Sequence, residues 1–151
     1  MTFDTIYLLI HLIVLPCWLL LIFAPGWRGT QKIVHSALVP LILFAVYTFF
    51  LSWAIGFGGG AQGAGMGSLS AVMALFDSKV SMIAGWTHYL VFDLFVGAWV
   101  ARDGVRRGIA HGWLVPCLLL SCGFGPVGLG LYLLIRKAKT GVWGLSECAN
   151  T

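Results

Sequence analysis

Charge is what this sequence has least of. Its 151 residues include nine Lys or Arg and five Asp or Glu, and charged residues make up 9% of the chain against 60% hydrophobic ones. With a mean hydropathy of +0.95, this excludes an ordinary soluble domain, in which about a quarter of the residues are charged. The net charge of +4 comes from short basic clusters at the ends of apolar runs, which indicates membrane topology and lipid contact and no nucleic acid partner. Cysteine motifs are missing as well. Cys17, Cys117, Cys122 and Cys148 form no CxxC pair and no metal-ligand spacing, so they read as small buried hydrophobes and no metal site is expected. There is no GxGxxG between a strand and a helix and no Walker lysine, which excludes the common nucleotide sites. No basic segment precedes the first apolar run. That run is too long for a signal h-region and ends in Pro25-Gly26-Trp27, so it is expected to stay as the first helix.

What the chain does have is apolar length. Residues 5–24, 33–57, 80–101 and 112–135 can each cross a hydrocarbon core of about 30 Å, which takes roughly 20 helical residues. The runs are continuous and do not alternate, so strands are not expected. The predicted fold is all-α: a polytopic four-helix transmembrane bundle over residues 1–140, a single domain, followed by a loose tail over 141–151. The glycine-rich stretch GFGGGAQGAGMG at 56–67 is expected to be mobile, and SLSAVMALF at 68–76 to form a short amphipathic helix capped by Ser68 or Ser70. Pro16 should bend the first helix. The run Gly123-Phe124-Gly125-Pro126-Val127-Gly128 should kink or open the fourth. Arg28, Lys32, Arg102, Arg106 and Arg107 then share one side, and Lys79, Arg136, Lys137 and Lys139 the other, a balance that slightly favours both termini outside.

Asp93 lies inside the third apolar run. A carboxylate there costs roughly 2.5–3.5 kcal/mol on insertion scales, so it needs a partner, a proton or a wet cavity. On a helix, Trp86, Leu90, Asp93 and Gly97 form one stripe and His88, Phe92, Phe95 and Trp99 another; His88 and Asp93 are about 140° apart, so they do not pair. His11 falls near the middle of the first span and Asp93 near the middle of the third, which allows a His11–Asp93 contact across the bundle. His35 reads as a solvated interfacial histidine. Tyr47 lies deeper, needs a hydrogen-bond partner and could serve Asp93 as a donor. A haem held by two of His11, His35 and His88 is a weaker reading, since no spacing is diagnostic.

GWTHYLVFDLFVGAWVARD at 85–103, followed by GFGPVGLGLY, resembles the abscisic acid deficient four-like family, linked in plants to neoxanthin synthesis. The resemblance covers essentially the whole chain. It is most specific at Trp86, His88, Asp93, Leu94, Gly97 and Asp103, and at Gly125, Pro126 and Gly128. It implies a membrane protein that acts on, or supports action on, a xanthophyll. In the plant reaction violaxanthin is isomerised to neoxanthin: an epoxide opens while a neighbouring proton leaves and an allene forms. That chemistry needs an acid and a base and no cofactor. Asp93 and His88 are the implied catalytic groups, with His11 as the geometric addition. Asp103 matches too, but its interfacial position beside Arg102 favours a structural role; Gly97, Gly125, Pro126 and Gly128 also read as structural, at a kink and at points of tight packing. A carotenoid or other polyene would rest against Trp18, Tyr47, Trp53, Trp86, Phe92, Phe95 or Trp99. The alternative is a non-catalytic carotenoid-binding or accessory subunit, with a second copy or a pigment-pathway protein as partner. The expected location is a bilayer, the bacterial inner membrane, because the chain begins directly with a span.

Overall fold

A computed structural model describes residues 2–145. They fold into six helices: α1 (Phe3–Phe23), α2 (Arg28–Ile33), α3 (Leu38–Gly56), α4 (Leu69–Leu75), α5 (Lys79–Arg106) and α6 (His111–Thr140). No strand occurs among the described residues, and α1, α3, α5 and α6 are long and apolar enough to cross a membrane. The protein is an all-α integral membrane protein. Leu8, Leu12, Leu19, Phe44, Ile55 and Leu134 are exposed, as suits side chains solvated by lipid.

The second apolar run, expected at 33–57, is not one helix from its start. A separate turn of helix, α2, precedes α3, and the end of α1 explains it. Pro25 and Gly26 stop α1 and leave its last carbonyls without helical donors. Thr30 Oγ1 then donates to the Ala24 carbonyl at 2.6 Å, and Gln31 Nε2 to the Pro25 carbonyl at 3.2 Å. At α4 the expected cap forms, with Ser68 Oγ accepting from the Ala71 N–H. The glycine-rich stretch is tied down at its start. The N–H groups of Gly59 and Gly60 donate to the carbonyls of Trp53 and Ala54, and Ser78 Oγ donates to the Gly59 carbonyl at 2.5 Å.

The chain divides into two compact units, one of Met1–Leu15 with Ala37–Phe92 and one of Pro16–Ser36 with Asp93–Thr151. The first has a core of Ile10, Val14, Leu43, Phe50, Ile83, Thr87 and Leu90, flanked by an aromatic cluster of Phe3, Phe49, Phe50 and Trp53. The second buries Trp18, Leu21, Val100, Leu114, Cys117, Leu118 and Tyr132.

In the second unit α6 reverses direction. Phe124 has φ −142° and ψ 61°, values outside the helical region. Pro126 cannot donate to the Cys122 carbonyl, and two flanking glycines favour helix poorly; these residues disfavour a continuous helix by about 3 kcal/mol for Pro and about 1 kcal/mol for each Gly. The contacts show how far the chain turns. Lys139 Nζ lies 4.5 Å from the centre of the Trp113 ring, although a straight helix would hold these residues about 39 Å apart. Gly128 packs on the backbone of Cys117 and Ser121. Against α5, Leu114 sits at Gly104 on the way out; on the return Gly125 meets Asp93, and Tyr132 and Arg136 meet Asp103. The step from Asp93 to Asp103 matches that from Gly125 to Arg136, so the second arm runs parallel to α5 and the first antiparallel.

The kink expected from the sequence is thus a hairpin with arms of about 20 and 24 Å. Arg136, Lys137 and Lys139 therefore return to the end of the unit that holds Arg102, Arg106 and Arg107 and do not lie opposite them. In the tail beyond Thr140, residues 142–145 have no regular structure, but Arg136 Nη2 donates to the carbonyls of Trp143 and Gly144 at 3.0 and 2.5 Å. Residues 146–151, with Cys148, lie outside the described residues.

Candidate functional site

Asp93 sits where α6 breaks. Its Oδ2 is fully buried, and its carboxylate lies against Gly125 so closely that a Cβ there would overlap Oδ1 and Cγ. Gly125 belongs to the first turn of the returning arm, where backbone N–H groups have no intrahelical acceptor. The break therefore offers the acid donors from the main chain. Gly97, one turn beyond Asp93, is covered by the buried Trp18 ring, which a Cβ would also overlap. Gly97, Gly125 and Gly128 thus share one geometric feature, the close approach of a neighbour. Pro126 lies in the first turn of the returning arm, where its missing N–H leaves no helical bond unmade.

His11 is engaged within its own unit. Its Nδ1 is 2.8 Å from the Tyr7 carbonyl, and its Nε2 accepts from Trp86 Nε1 at 3.3 Å. With Nε2 accepting, Nδ1 is the donor to the Tyr7 carbonyl. Trp86 and Tyr7 both lie beside the ring, and Tyr89 beside Trp86. His88 is exposed and packs between Tyr47, at 5.7 Å between centroids, and Phe92, at 4.7 Å. Tyr47 thus meets an imidazole face. Phe92 and Phe95 are exposed. Trp53 lines an apolar groove of about 600 Å³ with Phe44, Ala45, Thr48, Phe49, Ser52 and Phe57.

Trp99 belongs to a different constellation. It meets Tyr132 edge to face at 5.5 Å and carries the Arg136 guanidinium over its ring at 5.8 Å. Both converge on Asp103, which is 1% exposed. The Asp103 carboxylate accepts from Tyr132 Oη at 2.5 Å, Arg136 Nη1 at 3.0 Å, Arg107 Nε at 3.0 Å and Arg106 Nη2 at 3.3 Å. Arg136 is 0% exposed, not an interfacial anchor. Asp103 is the centre of a buried ionic network. Sequence reasoning missed Tyr132, Arg107 and Arg136. Their signal was the i, i+4 spacing of Tyr132 with Arg136 and of Asp103 with Arg107.

His35 is not solvated alone, because Arg102 Nη1 lies 3.0 Å from its Nδ1. Guanidinium can only donate, so Nδ1 must be the acceptor of a neutral ring. Burial, and then the Arg102 charge, lower its pKa below the ordinary 6.5. A depressed folded-state value means that this contact stabilises the protein above pH 6.5 and that its contribution is lost as pH falls through the folded value. Thermal unfolding in detergent should therefore show a loss of stability as pH falls below 6.5 that His35→Gln flattens; an unchanged slope would remove His35 as its source.

Among the described residues no group of three or more His, Cys, Asp or Glu is placed to hold a metal ion. The model of a family described as ABA DEFICIENT 4-like matches residues 5–132. The chain is 30% identical over 123 residues to Protein ABA DEFICIENT 4, chloroplastic, of Arabidopsis thaliana, a match covering 77% of this chain and 53% of that protein. The chain therefore spans about half the length of this relative. No solved structure matches.

Proposed function

Because the chain belongs to the ABA DEFICIENT 4-like family, we propose that it isomerises an oxygenated carotenoid dissolved in the bilayer by acid–base chemistry centred on Asp93. The observation that carries this reading is the Asp93 carboxylate, held with one oxygen fully buried at the break in α6. An epoxide-to-allene conversion is balanced within the substrate. The epoxide C–O bond breaks, its oxygen gains a proton to become a hydroxyl, and a proton leaves the neighbouring carbon as the allene forms. Asp93 is assigned one of these transfers. His88, which matches the same family motif, and His11 are proposed for the other.

Wild type and Asp93→Asn should be expressed in a host that accumulates violaxanthin, and the pigments profiled. Allenic product should form with the wild type and fall about 10²-fold or more in the variant, the usual scale of a lost acid–base group. A profile unchanged by the wild type would reject the enzymatic reading. Pigment that co-purifies unaltered with both proteins would instead support the second reading, a binding or accessory protein that works beside a second copy or a pathway enzyme. The aromatic groove along Phe44, Phe49, Trp53 and Phe57 favours that reading, since it offers a polyene apolar area without a titratable group. The Arabidopsis relative is chloroplastic by name, so the comparison does not support the bacterial inner membrane expected from the sequence.

A further inference from the structure

The α6 hairpin redistributes charge. Of the nine Lys and Arg residues, all but Lys79 fall in the second unit. They gather at one end of it. Arg102 touches His35, which follows α2 with Arg28 and Lys32; Arg106, Arg107 and Arg136 share Asp103; and Lys139 lies over Trp113, beside the start of α6. Asp103 offsets one of these charges, and Arg28, Lys32, Arg106 and Lys139 remain exposed. Three exposed tryptophans mark the same end. Trp27 precedes Arg28, Trp113 lies under Lys139, and the Trp143 ring is 5.7 Å from Lys137 Nζ. Exposed indoles next to Lys and Arg at the end of apolar helices are the signature of the headgroup level, where amphipathic rings sit at the hydrocarbon boundary and ammonium and guanidinium groups reach phosphate.

We infer that this end of the second unit is a docking surface for acidic phospholipid headgroups, with Arg28, Lys32, Lys137 and Lys139 as the contacting cations and Trp27, Trp113 and Trp143 as the boundary anchors. The surface also orients the chain. The basic end faces the side on which short positively charged segments are retained. This inference is independent of the proposed reaction.

The full chain, purified in detergent with equal amounts of phosphatidylglycerol and phosphatidylcholine, should retain the acidic lipid preferentially in native mass spectrometry. Replacing Arg28, Lys32 and Lys139 by Gln should cut that preference by roughly fivefold for each cation removed at most, the scale for a cation near an anionic surface. In the wild type, 1 M salt should abolish it. Equal retention of the two lipids, or a preference that survives both the triple variant and the salt, would overturn the docking surface. Inorganic phosphate competing as well as phosphatidylglycerol would also overturn it, in favour of a free-anion site. For orientation, A110C and A138C in a C148S background should react with an impermeant maleimide from the same side. Labelling of the two from opposite sides would mean that α6 crosses the membrane, and would sink the surface with the hairpin.

Discussion

Asp103→Ala should destabilise the protein by about 3–5 kcal/mol, the penalty for removing one partner of a buried ion pair. The reason lies in what remains. Arg136 is 0% exposed and its guanidinium would keep its charge without the carboxylate that now takes Nη1. Tyr132 Oη and Arg107 Nε would lose the same acceptor. Removing both charges should be milder than removing one, because an apolar side chain of similar volume has no desolvation debt. Thermal unfolding in a mild detergent should therefore rank Asp103→Ala well below Asp103→Ala with Arg136→Met. If the double variant were as unstable as the single one, the loss would come from packing or from the released Trp143 and Gly144 carbonyls, and not from an orphaned charge. Tyr132→Phe should cost less, about 1–3 kcal/mol, through its lost hydrogen bond.

Gly128→Ala should open the α6 hairpin. The added Cβ would meet the backbone N of Ser121 and the carbonyl oxygen of Cys117, and neither can move aside as a side chain would. Overpacking of this kind costs about 1–3 kcal/mol, and here the arms can relieve it only by separating. Their separation would pull Lys139 from Trp113 and Arg136 from Asp103. A fluorescence shift of the Trp113 region, with loss of thermal stability, is the expected result. Gly130→Ala is the matched control, since a Cβ at Gly130 meets nothing within 4 Å. Equal behaviour of the two variants would mean that the arms are not in contact at Gly128.

Much of this architecture is written in the sequence as length. The four apolar runs are helical because helix satisfies the backbone of a continuous apolar run in lipid, and the Ser68 cap followed from residue type. The break near Gly123–Gly128 was legible for the same local reason. Its consequence was not, since glycine and proline say where a helix fails but leave the direction of the next arm to packing between Ser121, Cys117 and Gly128. One unread angle moved Arg136 from an interface to a buried network. It also brought Lys137 and Lys139 to the end of the second unit that holds Arg106 and Arg107. Asp93 stood out because an acid in an apolar run demands compensation. The compensation visible in the structure, the first turn of a broken helix at Gly125, has no local sequence signature beyond the break itself. His11 was read by depth alone, whereas the Trp86 indole that holds it is 75 residues away in the chain.

The returning arm of α6 also behaves as an electrical object. Its aligned peptide units carry about half a positive charge at Gly125 and half a negative one near Thr140. Asp93 stands at the positive pole, and Arg136, Lys137 and Lys139 at the negative one. The arm thus has side chains of opposite charge type at its two ends, while the first arm, running antiparallel, brings its own negative end to the break and offsets part of that field. A neutral residue in place of Asp93 removes one of these poles. Asp93→Asn should therefore loosen the hairpin by about 0.3–1 kcal/mol, and part of the effect should be felt at Arg136, at the opposite end of the arm.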